Sequence, residues 1–245
     1  MARRCVRLDR LLVDRGLTSS RERAQALILA ARVLVDEVRI TKAGQKVPED
    51  SPIRIEGEIP FVSRGGYKLH HALIHFGVDV TGLVAMDVGA STGGFTDCLL
   101  QRGGRRVYAV DVGYGQLAWK LRQDPRVIVL ERRNIRHLPQ DIIPEPIQIA
   151  VIDTSFISLK LVIPATLRFL GPEGILIALI KPQFEAGPSR VGKGGVVRDP
   201  AVHGEICSSM RNLAESLGLG VLGIIPSPIL GPKGNREFLL GAFCP

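Results

Sequence analysis

The sequence, 245 residues long, lacks the features that mark several classes of protein. Its four cysteines form no Cys-x-x-Cys pair, and no histidine lies near them at metal-ligand spacing, which argues against a metal site and favours reduced, buried thiols. No run approaches the ~18 consecutive apolar residues of a membrane span. No apolar signal region follows the basic N-terminus, and internal repeats are missing. These absences predict a cytoplasmic protein without a metal ion.

The charge balance is the first positive signal. Lysine and arginine number 32 against 24 aspartates and glutamates, so the net charge is +8 and the isoelectric point is about 9.7. Such a balance favours a polyanionic partner, most often nucleic acid, although charge alone leaves open a basic protein with no such partner. The length suits one large α/β domain, or a medium-sized domain with a small appendix.

Residues 1–58 form a part with its own pattern. Apolar residues at helical spacing predict a first helix from about residue 7. Ser19 and Glu22 then offer a capping box for a second helix over 21–29, and short strands are expected at 32–35 and 53–55. The cations that lie off the apolar faces either line one basic face or form an ordinary solvated surface.

Three motifs of this part, Arg7-Leu-Asp-Arg-Leu-Leu-Val, Ser20-Arg-Glu-Arg-Ala and Arg32-Val-Leu-Val-Asp36, resemble the S4 RNA-binding domain. That module places two helices and a small sheet against structured RNA. The glycine often found in the S4 turn is replaced here by Val35-Asp-Glu-Val38. Structured RNA is the partner that this resemblance implies. The expected RNA contacts are Arg7, Arg10, Arg21, Arg23, Arg32 and Lys42, with Arg64, Arg190 and Lys193 from further along the chain.

A linker is predicted at 59–63, where a proline marks a junction, and a second domain over 64–245. This domain alternates apolar strands with helices, which predicts a doubly wound, largely parallel α/β sheet. The last two strands follow each other without a helix and are expected to pair antiparallel, as in seven-stranded class I methyltransferases. The expected strands are 83–88, 106–112, 127–131, 148–153, 174–180, 219–225 and 237–243, and the expected helices are 67–76, 96–101, 116–122, 164–170 and 201–217.

The glycine-rich stretch Asp87-Val-Gly-Ala-Ser-Thr-Gly-Gly-Phe95 joins the first of these strands to a helix, as in sites for nucleotide-like ligands. It lacks the strict Gly-x-Gly-x-x-Gly spacing of dinucleotide folds. Its acidic entrance suits a sulfonium better than a pyrophosphate, so S-adenosylmethionine is the expected cofactor. Asp111, which ends the next strand, is expected to accept both ribose hydroxyls. The expected cofactor contacts are Asp87, Gly89, Ala90, Ser91, Gly93, Gly94, Phe95, Asp111, Val112 and Asn134, of which Asn134 is equally explained as a turn residue.

A second glycine-rich stretch, Gly187-Pro-Ser-Arg-Val-Gly-Lys193, matches most of a P-loop. The next residue is Gly194 instead of serine or threonine, so the Mg²⁺-binding hydroxyl is missing. It also follows its strand only after several loop residues. We therefore reject ATP binding and expect a basic loop over the active site, or a plain surface loop.

Four charged residues are expected to meet where the strands end. Chemistry in a doubly wound sheet gathers at the carboxyl ends of its parallel strands. Asp153 and Lys181 end two such strands, Glu237 begins the antiparallel last strand at the same edge, and Lys68 starts the helix before the sheet. Each residue alone is explained as well by a salt bridge or an exposed charge, but their convergence predicts an active site.

These residues lie in motifs that resemble the TlyA (hemolysin A) family, which joins an S4 domain to an FtsJ-type methyltransferase domain. The motifs are Asp153-Thr-Ser-Phe-Ile-Ser-Leu159, Lys181-Pro-Gln-Phe-Glu185, Val191-Gly-Lys-Gly-Gly-Val-Val-Arg-Asp-Pro200 and Gly234-Asn-Arg-Glu-Phe238. The resemblance implies 2′-O-methylation of a cytidine in ribosomal RNA, with Lys68, Asp153, Lys181 and Glu237 as the catalytic residues. The short termini resemble the family members that modify only large-subunit RNA.

Three other functions remain open at this stage. An NAD-dependent oxidoreductase with an RNA-binding appendix would need a dinucleotide-sized cleft. A membrane-active protein is suggested only by the hemolysin name. A non-catalytic ribosome-assembly factor would have no need to retain all four charged residues.

Overall fold

The computed structural model describes residues 4–56 and 61–245, and the chain divides into two compact units, Met1–Arg64 and Gly65–Pro245. The first two residues of the predicted linker 59–63 lie outside the described residues. The domain limits at 58 and 64 therefore stay predictions.

The first unit packs two helices against short strands. Helices α1 (Leu8–Asp14) and α2 (Arg21–Leu29) bury Leu8, Leu12 and Ile28 completely. Both helices lie where the spacing of apolar residues predicted them. The strands are β1 (Cys5–Arg7), β2 (Val33–Val35), β3 (Val38–Ile40), β4 (Lys46–Pro48) and β5 (Ile53–Ile55), paired antiparallel as β1-β4 and β3-β2-β5.

Two local features of this unit are the cap of α2, which differs from the prediction, and the hairpin between β2 and β3. Ser20, and not Ser19, caps α2, because its side chain accepts a hydrogen bond from the Arg23 N–H. The hairpin between β2 and β3 closes without glycine, since Asp36 and Glu37 both adopt the left-handed region at φ 50° and 60°. Aspartate tolerates that region better than most residues, and Glu37 adopts it because two-residue hairpins require it at both central positions.

The second unit contains the predicted seven-stranded sheet, in the order β11-β12-β10-β9-β6-β7-β8. Strands β6 to β10 pair parallel with one another, whereas β12 pairs antiparallel with both β10 and β11. The α/β fold class and the antiparallel end are thus confirmed. The strands are β6 (Val84–Val88), β7 (Arg106–Val110), β8 (Val127–Leu130), β9 (Ile147–Ile152), β10 (Leu170–Ile180), β11 (Gly220–Pro226) and β12 (Phe238–Phe243).

The strands of this sheet are apolar along their length because the sheet is buried. Every residue of β6 is buried, as are the last five residues of β10, which is typical of parallel strands covered on both faces. The helices of this unit are α3 (Gly65–His75), α4 (Gly94–Gln101), α5 (Trp119–Arg122), α6 (Leu159–Leu167), α7 (Pro182–Glu185) and α8 (Pro200–Ser216).

One predicted helix was misplaced. The expected helix at 164–170 took Pro164 as its first residue, but α6 begins at Leu159 and contains Pro164. Ser158 caps this helix by accepting from the Lys160 N–H, and the burial of Leu159 and Ile163 holds it against the core. Burial outweighs the one helical hydrogen bond that the proline removes.

Candidate active site

The strand register brings the predicted catalytic residues to one edge of the sheet. Ile180 pairs with Phe238 in the antiparallel ladder of β10 and β12. Lys181, which follows β10, and Glu237, which precedes β12, therefore occupy the next position along that ladder. Asp153 follows β9, the parallel neighbour of β10, and so lies at the same edge.

The four charged side chains form two close ion pairs. Lys68 Nζ lies 2.6 Å from Glu237 Oε2, and Lys181 Nζ lies 2.6 Å from Asp153 Oδ1. Both lysines and Glu237 are buried. Removing one partner of a buried pair costs about 3–5 kcal/mol, because the other charge stays without a partner. The structure thus brings the four residues together, and their catalytic roles stay a prediction.

A cleft of about 440 Å³ opens at this edge and contains part of the predicted cofactor site. The carboxylate of Asp111 is fixed there, because its Oδ2 accepts from the Ser91 N–H over 2.7 Å and its Oδ1 from the Gly113 N–H over 2.6 Å. Each oxygen keeps one further lone pair for a ligand hydroxyl. The predicted cofactor residues that line the cleft are Gly89, Ser91, Asp111, Val112 and Asn134.

Two glycines of the loop after β6 are required by close packing. Gly89 has φ +87°, and a Cβ there would lie 2.6 Å from the backbone oxygen of Asp153. Gly93 has φ +93°, caps α4, and would collide with the Leu121 side chain at 2.2 Å. Because both positions combine a left-handed backbone with a neighbour in the way, only glycine keeps this loop in place.

Asp87 was expected near the positive end of the cofactor, and the structure places it elsewhere. It is fully buried, and its Oδ2 accepts from both the N–H and the hydroxyl of Thr96 in the first turn of α4. Burial raises the pKa of Asp87 to about 7, and the charges of Asp153 and Asp111 add to the rise. Asp87 therefore anchors the helix behind the loop and does not line the cleft. The other predicted contacts that do not line it are Ala90, Gly93, Gly94 and Phe95.

The sequence left two roles open for Asn134, a cofactor contact and a turn residue, and its position is compatible with both. It lines the cleft, and its side-chain oxygen accepts from the Arg136 N–H over 3.0 Å, as a turn residue would. Its turn role fixes the side chain at the cleft wall.

Sequence reasoning gave no role to several residues that line the cleft. Arg133 and Thr154 are among them, and the Thr154 hydroxyl oxygen is buried without a hydrogen-bond partner within the described part of the chain. Ser155 accepts a hydrogen bond from Lys181 Nζ over 2.9 Å. Phe156 is 91% exposed at φ 65°, and its ring centroid lies 5.2 Å from that of Phe184. Thr154, Ser155 and Phe156 could have been found from the sequence, because they directly follow Asp153 after the end of β9. This signal does not apply to Arg133.

The loop that follows β9 is attached to α7. Glu185 accepts from the Ser158 hydroxyl over 2.6 Å and from the Leu159 N–H over 2.8 Å. Burial raises the pKa of Glu185, while these two hydrogen bonds oppose the rise. Because α7 begins directly after Lys181, the contacts fix the loop relative to that lysine.

The rejected P-loop stretch forms a short 3-10 turn, Pro188–Arg190, and no long helix follows it directly. Arg190 forms an ion pair with Glu205. Asn235, which sequence reasoning missed, holds the segment that follows: its Oδ1 accepts from the Val197 N–H, and its Nδ2 donates to the Gly195 oxygen. This segment is therefore fastened to the turn that carries Glu237.

In the first unit, two of the expected RNA contacts share one buried carboxylate. Arg7 and Arg21 both lie within 3.0 Å of Asp9, which is fully buried. Burial pushes the pKa of Asp9 upward, but hydrogen bonds from Arg7, Gln25 and Arg21 outweigh it and hold that pKa well below its usual range. Arg10 pairs with Asp14. The exposed residues Arg23, Arg32 and Lys42, and the half-buried Arg64, show no ion pair within residues 4–56 and 61–245.

Within the described residues, no helix is long and apolar enough to cross a membrane. The same residues contain no cluster of three or more histidine, cysteine, aspartate or glutamate side chains that could hold a metal ion.

Comparison with known proteins gives the family. The model of the FtsJ-like methyltransferase family matches residues 61–243, and that of the S4 domain matches residues 6–53. The 16S/23S rRNA (cytidine-2′-O)-methyltransferase TlyA of Mycobacterium tuberculosis is 45% identical over 98% of this chain and 90% of its own. The 23S rRNA (cytidine-2′-O)-methyltransferase TlyA of Campylobacter jejuni is 31% identical over 73% of this chain and 69% of its own.

A solved structure from Streptococcus thermophilus that carries a hemolysin name is 41% identical, with a TM-score of 0.75 over 99% of this chain and 90% of that one. The matches to the Mycobacterium tuberculosis relative and to this solved structure extend over nearly the whole chain. The chain therefore belongs to the TlyA (hemolysin A) family and joins an S4 domain to an FtsJ-like methyltransferase domain.

Proposed function

We propose that the chain transfers a methyl group from S-adenosylmethionine to the 2′-oxygen of a cytidine ribose in ribosomal RNA, and that its target is 23S RNA of the large subunit. The observation that carries the proposal is the two ion pairs at one sheet edge: Lys68–Glu237, which is buried, and Lys181–Asp153, whose carboxylate residue lines the cleft. The two TlyA relatives support it, since both are named for this reaction and both names include 23S rRNA. A ribosomal substrate places the activity in the cytoplasm.

The residues of the cleft fit S-adenosylmethionine. The fixed carboxylate of Asp111 keeps two lone pairs for a ribose diol. Gly89 allows the backbone to approach a ligand closely, and the Thr154 hydroxyl is a buried polar group that a ligand would satisfy. When bound, S-adenosylmethionine supplies a methyl group activated by its sulfonium.

The ion pairs supply the rest of the reaction. A ribose hydroxyl is a weak nucleophile and must lose its proton as it attacks. Lys181 first releases the proton of its ammonium to solvent and then accepts the ribose proton at Nζ as a neutral amine, and Asp153 orients the amine. Lys68 and Glu237 hold the ribose in line with the methyl group, since correct placement alone contributes several kcal/mol to catalysis.

Affinity for RNA comes from the S4 unit in this proposal. Arg23, Arg32 and Lys42 are exposed and have no acidic partner within the described part of that unit, so their charges remain for phosphates. Binding through phosphates releases counterions and weakens steeply with salt. Structured RNA is recognised largely through its shape and backbone.

The test uses unmodified small and large ribosomal subunits with a labelled methyl donor, followed by mapping of the methylated nucleotide. The proposal predicts label on a 23S cytidine, and the Lys181→Ala variant should lose transfer while it still binds S-adenosylmethionine. Lys160→Ala, at an exposed lysine of α6, is the matched control and should stay active. Label on small-subunit RNA alone refutes the target, and no label on either subunit refutes the activity.

The other functions make different predictions in simple assays. An oxidoreductase would bind NAD in a titration in which S-adenosylmethionine does not bind. A membrane-active protein would release dye from liposomes in the absence of RNA. An assembly factor would bind the subunits and leave them without label.

A further inference from the structure

The side chain of Ser155 contacts the lysine to which the proposed reaction gives its proton. Lys181 Nζ donates to Ser155 Oγ over 2.9 Å, and the same nitrogen lies 2.6 Å from Asp153 Oδ1. Lys181 is buried, whereas Ser155 is exposed and lines the cleft. The hydroxyl therefore covers the amine on the side of the cleft.

The hydrogen bond to Ser155 limits how the amine of Lys181 can rotate. A lysine nitrogen is tetrahedral, so three directions remain beyond its bond to Cε. Ser155 takes one of them, because Lys181 Nζ donates a hydrogen bond to its Oγ. Asp153 Oδ1 lies 2.6 Å from the nitrogen as its ionic partner and accepts no hydrogen bond within the described residues. A hydrogen bond depends on the direction of the N–H group and an ionic attraction hardly does, so the Ser155 hydroxyl limits the rotation of the amine about its last bond. That limit also fixes the direction of the lone pair of the neutral amine.

The position of Ser155 is fixed by its neighbours. Phe156 adopts the left-handed region at φ 65°, which a bulky residue rarely does, and its ring packs on Phe184. On the other side of the loop, Glu185 holds the Ser158 hydroxyl. Strained residues of this kind persist only where the surrounding contacts hold them, and they cluster at functional sites.

We propose that Ser155 is a positioning residue that restricts the rotation of Lys181 Nζ beside its ionic partner Asp153 and so directs the lone pair of the neutral amine to the 2′-hydroxyl of the substrate ribose. This inference rests on the proposed function. In the reaction, the 2′-oxygen forms a bond to the methyl carbon and the carbon–sulfur bond breaks with its electron pair left on sulfur. The proton of the ribose hydroxyl passes to Lys181 Nζ.

Two variants and a control test the role in catalysis. Ser155→Ala should lower kcat by about ten- to a hundredfold, the effect of one hydrogen bond to a charged group. Its affinity for S-adenosylmethionine, its KM for ribosomal subunits and its melting temperature should stay near those of the wild type. Ser155→Thr keeps the hydroxyl and should recover most of the activity. Ser208→Ala, at an exposed serine of α8, should be unaffected.

A second readout does not depend on activity. In protein labelled with ¹³C at lysine Cε, the Lys181 signal is identified by its loss in Lys181→Arg. In Ser155→Ala the protonated amine has lost an acceptor, so this signal should titrate at lower pH than in the wild type, while the Lys68 signal is unchanged.

Two results would overturn the role of Ser155: an unchanged Lys181 titration in Ser155→Ala, or equal losses of kcat, cofactor affinity and melting temperature, which indicate a merely structural residue. If the wild-type protein methylates no RNA, the proposed function fails, and the titration alone decides whether Ser155 positions Lys181.

Discussion

Gly231→Ala is expected to separate Lys68 from Glu237 without removing either side chain. A Cβ at Gly231 would lie 2.0 Å from Glu237 Oε1 and 2.4 Å from its Cδ. Gly231 is not among the residues with a positive φ, so alanine adds no backbone strain there. Because Glu237 is buried, its carboxylate must move out of its place 2.6 Å from Lys68 Nζ.

The size of the effect follows from the buried ion pair. Removal of one partner of such a pair costs about 3–5 kcal/mol. Here the carboxylate is displaced and keeps part of the attraction, so we expect a loss of about 1–3 kcal/mol from the free energy of unfolding. At roughly 2–4 °C per kcal/mol for a chain of this size, Tm should fall by about 2–12 °C. The misplaced group should also lower methyl transfer by about a hundredfold.

The assay combines thermal unfolding with methyl transfer to unmodified subunits. Gly204→Ala is the matched control, because no atom lies within 4 Å of its added Cβ and the residue lies inside helix α8. It should be as stable as the wild type or more so. In the Glu237→Ala background the collision partner is gone, so Gly231→Ala should then cost almost nothing. Equal losses in both backgrounds would refute the reasoning.

Three further predictions follow from single contacts. Gly89→Ala places a Cβ 2.6 Å from the Asp153 backbone oxygen at φ +87° and should abolish binding of S-adenosylmethionine in a titration; Gly82→Ala, at φ +74° with no atom within 4 Å, isolates backbone strain and should bind normally. Because burial raises the pKa of Asp87 to about 7, the folded protein binds this proton more tightly than the unfolded chain, and the free energy of unfolding should fall by up to about 1.4 kcal/mol per pH unit between pH ~4 and ~7. Asp87→Asn removes this contribution, so a wild type and variant whose stabilities change in parallel between about pH 4 and pH 7 would contradict it. Asp9 has the opposite sign, because its pKa is lowered in the folded protein. Its stabilisation is present above the unfolded value of about 4 and is lost only at lower pH, so Asp9→Asn should lower Tm at pH 7, and an unchanged Tm would count against the ion-pair network.

The regular elements were predictable where burial sets the residue pattern. The strands β6 and β9 read as apolar runs interrupted only by Asp87 and Gln148, because parallel strands are buried on both faces. The limits of α2 were predictable from its apolar face, although its cap is Ser20 and not the expected Ser19. The prediction placed helix α6 too late in the chain, because a proline usually marks the start of a helix. The packing that allows Pro164 to lie inside α6 involves residues distant in sequence and is not visible in the local pattern.

Part of the active site was likewise predictable from the sequence, and part was not. Position at a strand end predicted that Asp153, Lys181 and Glu237 would meet, since topology alone brings strand ends to one edge. It could not predict which lysine would pair with which carboxylate. It also missed Ser155, whose contact with Lys181 joins two loops that are distant in sequence.

The sequence by itself determined the two-part organisation, the alternation of strands and helices, the glycine loop and the edge at which the charged residues gather. These properties follow from local patterns of burial and backbone freedom. Only the tertiary structure decided that Asp87 faces the core and not the cleft, that Arg7 and Arg21 share the buried Asp9, and that Lys181 has two oxygen partners. The physical reason is that the direction of a side chain and its partners depend on packing between segments far apart in the chain.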